Sequence, residues 1–192
     1  MKETEYKFLV DRNTFYEIMG KVREKYSNIH PVDKVQINYY YDSNDQYLFT
    51  NHTTLRVRQI ETELNLEMKE SIPSADEFNV SNETEWKIDA ITPEITLKSG
   101  KHAWIPFQLQ GNLVTRRISI KPTESLSIDF DTNCYFGKCD YEIEMEFKDE
   151  AKKATTMLVN ELGLLKYKNR EGGKARRFFR YKAEVFKKKV NE

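Results

Sequence analysis

Short segments in which charged and apolar residues alternate recur from one end of the chain to the other. Near the start, Glu3, Glu5 and Lys7 fall on one side of an extended strand, with Tyr6 and Phe8 on the other. Arg56 and Arg58 oppose Leu55 and Val57, Glu67 and Lys69 oppose Leu64, Leu66 and Met68, and Glu83, Glu85 and Lys87 oppose Trp86 and Ile88. Asp129 and Asp131 alternate with Leu126, Ile128 and Phe130, as do Glu142, Glu144 and Glu146 with Tyr141, Ile143, Met145 and Phe147. Side chains of a strand point alternately to its two faces, so each segment predicts a strand with one charged and one apolar face. Two segments switch to helical spacing. They are 13–26, with Phe15, Ile18, Met19, Val22 and Tyr26, and 149–162, with Ala151, Ala154, Leu158 and Leu162, followed by Gly163 as a left-handed cap. Residues 92–110 read as helix or irregular structure, and the lysine-rich stretch 182–190 as a solvated tail, with a basic helix as the alternative.

A charged strand face normally points at water, and it then carries Thr, Ser and Gln as well. Here acids (Glu3, Glu5, Glu67, Glu83, Glu85, Asp129, Glu142, Glu144, Glu146) and bases recur at those positions in nearly every strand. If the apolar faces pack on the two helices and the sheet closes, the charged faces line an interior too polar to be a core. A closed antiparallel barrel of about eight strands removes its edges and can hold a small ligand. Like charges confined there are costly without counter-charges, so the lumen should take both cations and a polyanion. Glu142, Glu144 and Glu146, joined by Glu3 and Glu5, offer hard oxygen donors that suit Mg²⁺ or Mn²⁺ rather than zinc. Arg56, Arg58 and Arg117 offer forked donors to phosphate oxygens, and Lys7, Lys69 and Lys174 offer compact point charges. A substrate with several adjacent phosphates accounts for so many bases.

Composition narrows the alternatives. A chain of 192 residues suits one domain, and its 31 basic and 31 acidic side chains cancel, so no whole-surface field favours nucleic acid or an anionic membrane. The start of the chain has no apolar signal core, and no apolar run is long enough to span a bilayer, which leads us to expect a cytoplasmic protein, monomer or homodimer. Cys134 and Cys139 are the only cysteines and are expected to be free thiols. With His30, His52 and His102 scattered, neither a zinc site nor a Cys–His nucleophile is expected.

The Glu3-Thr4-Glu5-Tyr6-Lys7 segment is an E-x-E-x-K signature and resembles the opening strand of the CYTH superfamily, the triphosphate tunnel metalloenzymes. It is followed in family order by NYYYD (38–42), TLRVR (54–58), LEMKE (66–70), the Glu83/Glu85 pair, GNLVTRR (111–117), LSIDFD, DYEIEME and GKARRF (173–178). The resemblance covers almost the whole chain and implies a single domain over 1–192. Its fold would be α+β dominated by β, an eight-stranded antiparallel tunnel with flanking helices. It implies metal ligands at Glu3, Glu5, Glu144 and Glu146 with Glu142 close by, a catalytic group of Glu5, Lys7, Glu144 and Glu146, and two Mg²⁺ or Mn²⁺ ions with substrate bound. It also implies a phosphate grip of Lys7, Arg56, Arg58, Lys69, Arg117, Lys174 and Arg177, with Glu67, Glu83, Glu85 and Asp129 as further tunnel acids. Where such motifs usually carry Ser or Asn before the late lysine, this chain has Gly172-Gly173. The expected activity is metal-dependent hydrolysis of a small triphosphate, with inorganic triphosphate favoured. The alternatives are a thiamine triphosphatase, a class IV-type adenylyl cyclase and a non-catalytic polyphosphate or nucleotide sensor.

Overall fold

The alternating segments form strands of one antiparallel sheet that closes on itself. The computed structural model describes residues 2–74, 77–168 and 172–190, with side chains up to Lys187 in the last helix. In chain order the elements are β1 (Lys2–Val10), α1 (Arg12–Lys25), β2 (Val32–Asp42), α2 (Tyr47–Thr50), β3 (Thr53–Ile60), β4 (Glu63–Ile72) and β5 (Asn79–Lys87). They continue with β6 (Glu94–Thr96), β7 (Pro106–Thr123), β8 (Leu126–Tyr135), β9 (Lys138–Phe147), α3 (Lys152–Glu161) and α4 (Lys174–Val190). Strands neighbour one another in the order β2-β3-β4-β5-β1-β9-β8-β7-β6, and a further β2–β7 pairing joins the two sides. The product is a closed eight-stranded antiparallel barrel, with β6 an extra strand beside β7.

The apolar faces turn outwards and are covered in two different ways. On one side Tyr6, Phe8, Phe130, Ile143 and Met145 of β1, β8 and β9 pack against Phe15, Ile18 and Val22 of α1 and Leu158 and Val159 of α3. α1 starts where the Asp11 carboxylate accepts from the backbone N–H groups of Asn13 and Thr14 at 2.9 and 3.0 Å, satisfying donors that the helix itself leaves open. The second predicted helix begins with a 3-10 turn at Asp149–Ala151 before α3, and Gly163 beyond it has φ 64°. On the other side Tyr41, Leu55, Val57 and Leu66 are covered by Leu48 of α2 and by Leu97 and Phe107. The ambiguous stretch 92–110 is therefore β6, turns and the start of β7, acting as a lid of irregular backbone over the sheet. On β5, Trp86 stays 40% exposed.

A third cluster fills one end of the barrel. Tyr40, Leu113 and Tyr135, from the tunnel faces of β2, β7 and β8, meet Phe178 and Phe179 of α4. Gly111 permits this approach, because a Cβ there would lie 3.0 Å from the Phe178 ring. The stretch 182–190 takes the alternative reading, a basic helix: it is the later part of α4, which begins at Lys174 and is anchored by the buried Phe178 and Phe179. The expectation of free thiols is also corrected. Register places Cys134 directly opposite Cys139 across the β8–β9 hairpin, with Cα atoms 4.2 Å apart, and the two are joined in a disulfide.

Candidate substrate tunnel

Strand register, set by the outward apolar faces, decides which charges meet inside. Glu5 lies opposite Glu146 and Lys7 opposite Glu144 across β1–β9, while Asp129 lies opposite Glu144 and Asp131 opposite Glu142 across β8–β9. Arg117 faces Asp131, Arg56 faces Glu67, and Lys69 faces Glu83. Lys7 Nζ sits 2.7 Å from Glu5 and 2.5 Å from Glu144. Lys69 Nζ pairs with Glu3 and lies 2.9 Å from both Glu5 and Glu83. The Arg117 fork spans Asp129 at 2.8 Å, Asp131 at 2.6 Å and Glu144 at 2.5 Å.

At the plugged end α4 adds its own cations. Lys174 Nζ is 2.6, 2.9 and 2.7 Å from Asp131, Glu142 and Glu144, and Arg177 is 2.9 Å from both Asp140 and Glu142. Burial would raise the Glu142 carboxyl, but Lys174 and Arg177 outweigh it and bring it down to about 2. Glu144 is likewise held well below the usual carboxylate range against its burial, by Lys174, Lys7 and Arg117. For Lys7 and Arg117 the surrounding carboxylates outweigh desolvation and raise both, so their charges are secure.

One tunnel base, Arg58, and two tunnel acids, Glu146 and Asp129, have their charged forms disfavoured, Asp129 because its burial outweighs Arg117. Desolvation and the neighbouring Arg56 and Arg117 push Arg58 down to about 10, and among the described residues its fork finds Asn38 Oδ1 at 3.2 Å and Glu67 at 3.3 Å. Glu146 reaches solvent, yet partial burial together with Glu3, Glu5 and Asp129 pushes it up to about 7. One pole of the tunnel therefore lacks an anion and the other lacks a cation. Like charges directly opposite in a ladder, such as Glu5 and Glu146, are unfavourable unless a cation lies between them.

The acids suit a hard divalent ion, being all carboxylate oxygens with no nitrogen or sulfur donor among them. Asp131, Glu142 and Glu144 can each bring an oxygen within 4.8 Å of the others, but the Lys174 ammonium already bridges that trio. Glu5 and Glu146 also face one another across β1–β9, and there Lys69 pairs with both Glu3 and Glu5.

Of the residues expected at the site, the structure brings all the bases and most acids into one tunnel; Glu85 lies exposed at the rim, opposite Glu67. Several others were passed over. Asp131 and Asp140 grip Arg117, Lys174 and Arg177, and Asp131 was legible in the same alternation as Asp129. Neutral residues gave no charge signal: Gln36, Asn38, Tyr40, Thr115 and Asn133 are all buried along the tunnel wall. Thr115 Oγ1 donates to Asn133 Oδ1 at 2.7 Å, but Gln36 Nε2, Asn38 Nδ2 and the Tyr40 hydroxyl have no partner among the described residues. A buried donor left unmet costs about 1–3 kcal/mol.

The CYTH domain model matches residues 1–179. The chain belongs to the CYTH family. No curated protein matches it in sequence. Among solved structures, a Bacillus halodurans protein named as an adenylate cyclase superposes with TM-score 0.66 at 22% identity, over 93% of this chain and 98% of its own. A Hippeastrum protein named as an adenylyl cyclase, and said to show a dominant triphosphatase activity, superposes with TM-score 0.66 at 19% identity, over 92% and 94%. The Schizosaccharomyces pombe RNA triphosphatase Pct1 gives TM-score 0.50 at 11% identity, over 88% and 85%. At these identities the likeness is one of fold. Enzymes of the CYTH family are metal-dependent and take triphosphates, which agrees with the two unbalanced poles of this tunnel. Among the described residues, no helix of this CYTH chain is long and apolar enough to cross a membrane.

Proposed function

We propose that the protein is a metal-dependent hydrolase of a small triphosphate, with inorganic triphosphate as its substrate. The observation that carries this reading is Arg58, a largely buried guanidinium repelled by Arg56 and Arg117 and short of counter-charge. A polyphosphate chain supplies the missing negative charge. Arg56, Arg58, Lys69 and Arg117 would hold its oxygens, with Lys7, Lys174 and Arg177 completing the grip. Their present carboxylate partners keep them oriented, so little reorganisation accompanies substrate binding.

Glu3, Glu5 and Glu146, with Asp129 and Glu144 adjacent, would hold a divalent ion, which would supply Lewis-acid stabilisation of phosphoryl oxygens. Lys7, clamped between Glu5 and Glu144, stays an ammonium at neutral pH and stabilises charge on the transferring group; it cannot serve as a base. The Phe178 and Phe179 plug keeps bulk water out of one end. Tunnel-face aromatics favour an inorganic substrate over a nucleotide: Tyr40 and Tyr135 are packed on Phe178 and offer no slot for a base.

The test is phosphate release from inorganic triphosphate, thiamine triphosphate, ATP and pyrophosphate with Mg²⁺, Mn²⁺ or chelator, the ATP samples also assayed for cyclic AMP. Metal-dependent release chiefly from inorganic triphosphate supports the proposal. Cyclic AMP as the main product, or triphosphate bound but never cleaved, refutes it.

A further inference from the structure

The charged residues do not exhaust the tunnel wall. On β2 the exposed Lys34 lies opposite Arg117, and the next two positions on that face, Gln36 and Asn38, are neutral and only 4% and 0% exposed. Register sets Gln36 beside Thr115 of β7, and Asn38 beside Arg58 of β3. The orientation of the Asn38 amide is fixed, because its Oδ1 accepts from Arg58 Nε. Its Nδ2 therefore faces away from Arg58 with no partner, and Gln36 Nε2 is likewise unmatched.

Buried amide donors without acceptors are rare in folded proteins, and two at consecutive positions on one tunnel face point to an absent acceptor. Neither amide can attract an anion over distance, but each can discriminate by hydrogen-bond geometry once an anion has arrived. Adjacent Arg58 marks where that anion binds.

Building on the triphosphatase reading, we propose that Gln36 and Asn38 form a neutral amide rail on β2 that donates hydrogen bonds to phosphoryl oxygens of the bound triphosphate. They are specificity-determining residues beyond the ionic grip. The free protein tolerates the unmet donors, and the substrate satisfies them.

The experiment uses the full chain and inorganic triphosphate as the probe. Binding is measured by calorimetry in chelator to prevent turnover, KM and kcat are measured with Mg²⁺, and melting is measured without ligand. Gln36→Met keeps length and shape but removes the donor, and Asn38→Leu does the same at the second position. Each is expected to weaken triphosphate binding about tenfold, the effect of one hydrogen bond to a charged acceptor, with the loss falling in KM rather than in kcat. Ligand-free melting should hold or rise in Gln36→Met, because a donor without a partner is replaced by an apolar group, whereas Asn38→Leu also withdraws the Oδ1 that accepts from Arg58 and is expected to melt lower. Wild-type affinity in both variants overturns the rail, as does weakened binding in Gln36→Met accompanied by lower ligand-free melting, which marks a structural role. If the wild type itself neither binds nor cleaves triphosphate, the functional reading falls first and the rail with it.

Discussion

Replacing Arg58 with methionine separates a binding role from a structural one. A base whose pKa is lower folded than unfolded opposes folding at every pH below its folded value, so the full penalty applies at neutral pH. Displacement of the guanidinium to about 10 corresponds to about 3 kcal/mol against its charged form. Methionine removes that penalty while retaining most of the apolar stem. It forfeits the contacts to Asn38 and Glu67, but Glu67 remains paired with Arg56 at 2.7 Å, so no buried carboxylate is stranded. The balance predicts ligand-free melting between unchanged and roughly 6 °C higher for a domain of this size. Triphosphate affinity, by contrast, should fall roughly ten- to hundredfold with the loss of a charged donor. Differential scanning calorimetry and titration with inorganic triphosphate in chelator measure the two quantities. A melting temperature lower by more than roughly 5 °C, or unaltered affinity, would show that Arg58 serves the fold and refute the reasoning.

Arg177→Met should have the opposite stability signature: it strips one partner from a buried network with Asp140 and Glu142, costing about 3–5 kcal/mol and lowering melting by roughly 10 °C. Phe178→Ala should open a cavity against Tyr40, Tyr135 and Phe136 and cost about 3–5 kcal/mol in urea unfolding, with an unchanged midpoint disproving the plug. Glu5→Gln should abolish metal-dependent phosphate release while circular dichroism stays native; near-normal turnover would exclude the Glu3, Glu5 and Glu146 ion site. Thiol titration should find no free cysteine in the oxidised protein, and the Cys134→Ser, Cys139→Ser double variant should melt lower by about 2 kcal/mol in stability, read by calorimetry.

Alternation alone told which side chains share a face, because a strand's period of two is a local property of the backbone. That was enough to group Glu3 with Glu5 and Lys7, Arg56 with Arg58, and Glu142 with Glu144 and Glu146, and to expect a charged interior once the sheet closed. Periodicity likewise located α1 and α3 within a residue or a turn. It could not tell that irregular backbone between β5 and β7 would cover half the barrel, since such cover comes from scattered residues such as Leu97 and Phe107 meeting a distant sheet. Nor could it see the plug: Phe178 and Phe179 follow Arg176 and Arg177 with no apolar period to place them, and their burial depends on Tyr40, Leu113 and Tyr135 presented by β2, β7 and β8. Pairing across strands is a tertiary decision too. Register put Cys134 against Cys139, left Arg58 short of an acid and gave Glu146 three acidic neighbours. The chain's own pattern determined which charges line the tunnel, while only the closed barrel decided which of them neutralise one another and which are left to meet a ligand, because Coulomb energies depend on distances that strand pairing alone sets.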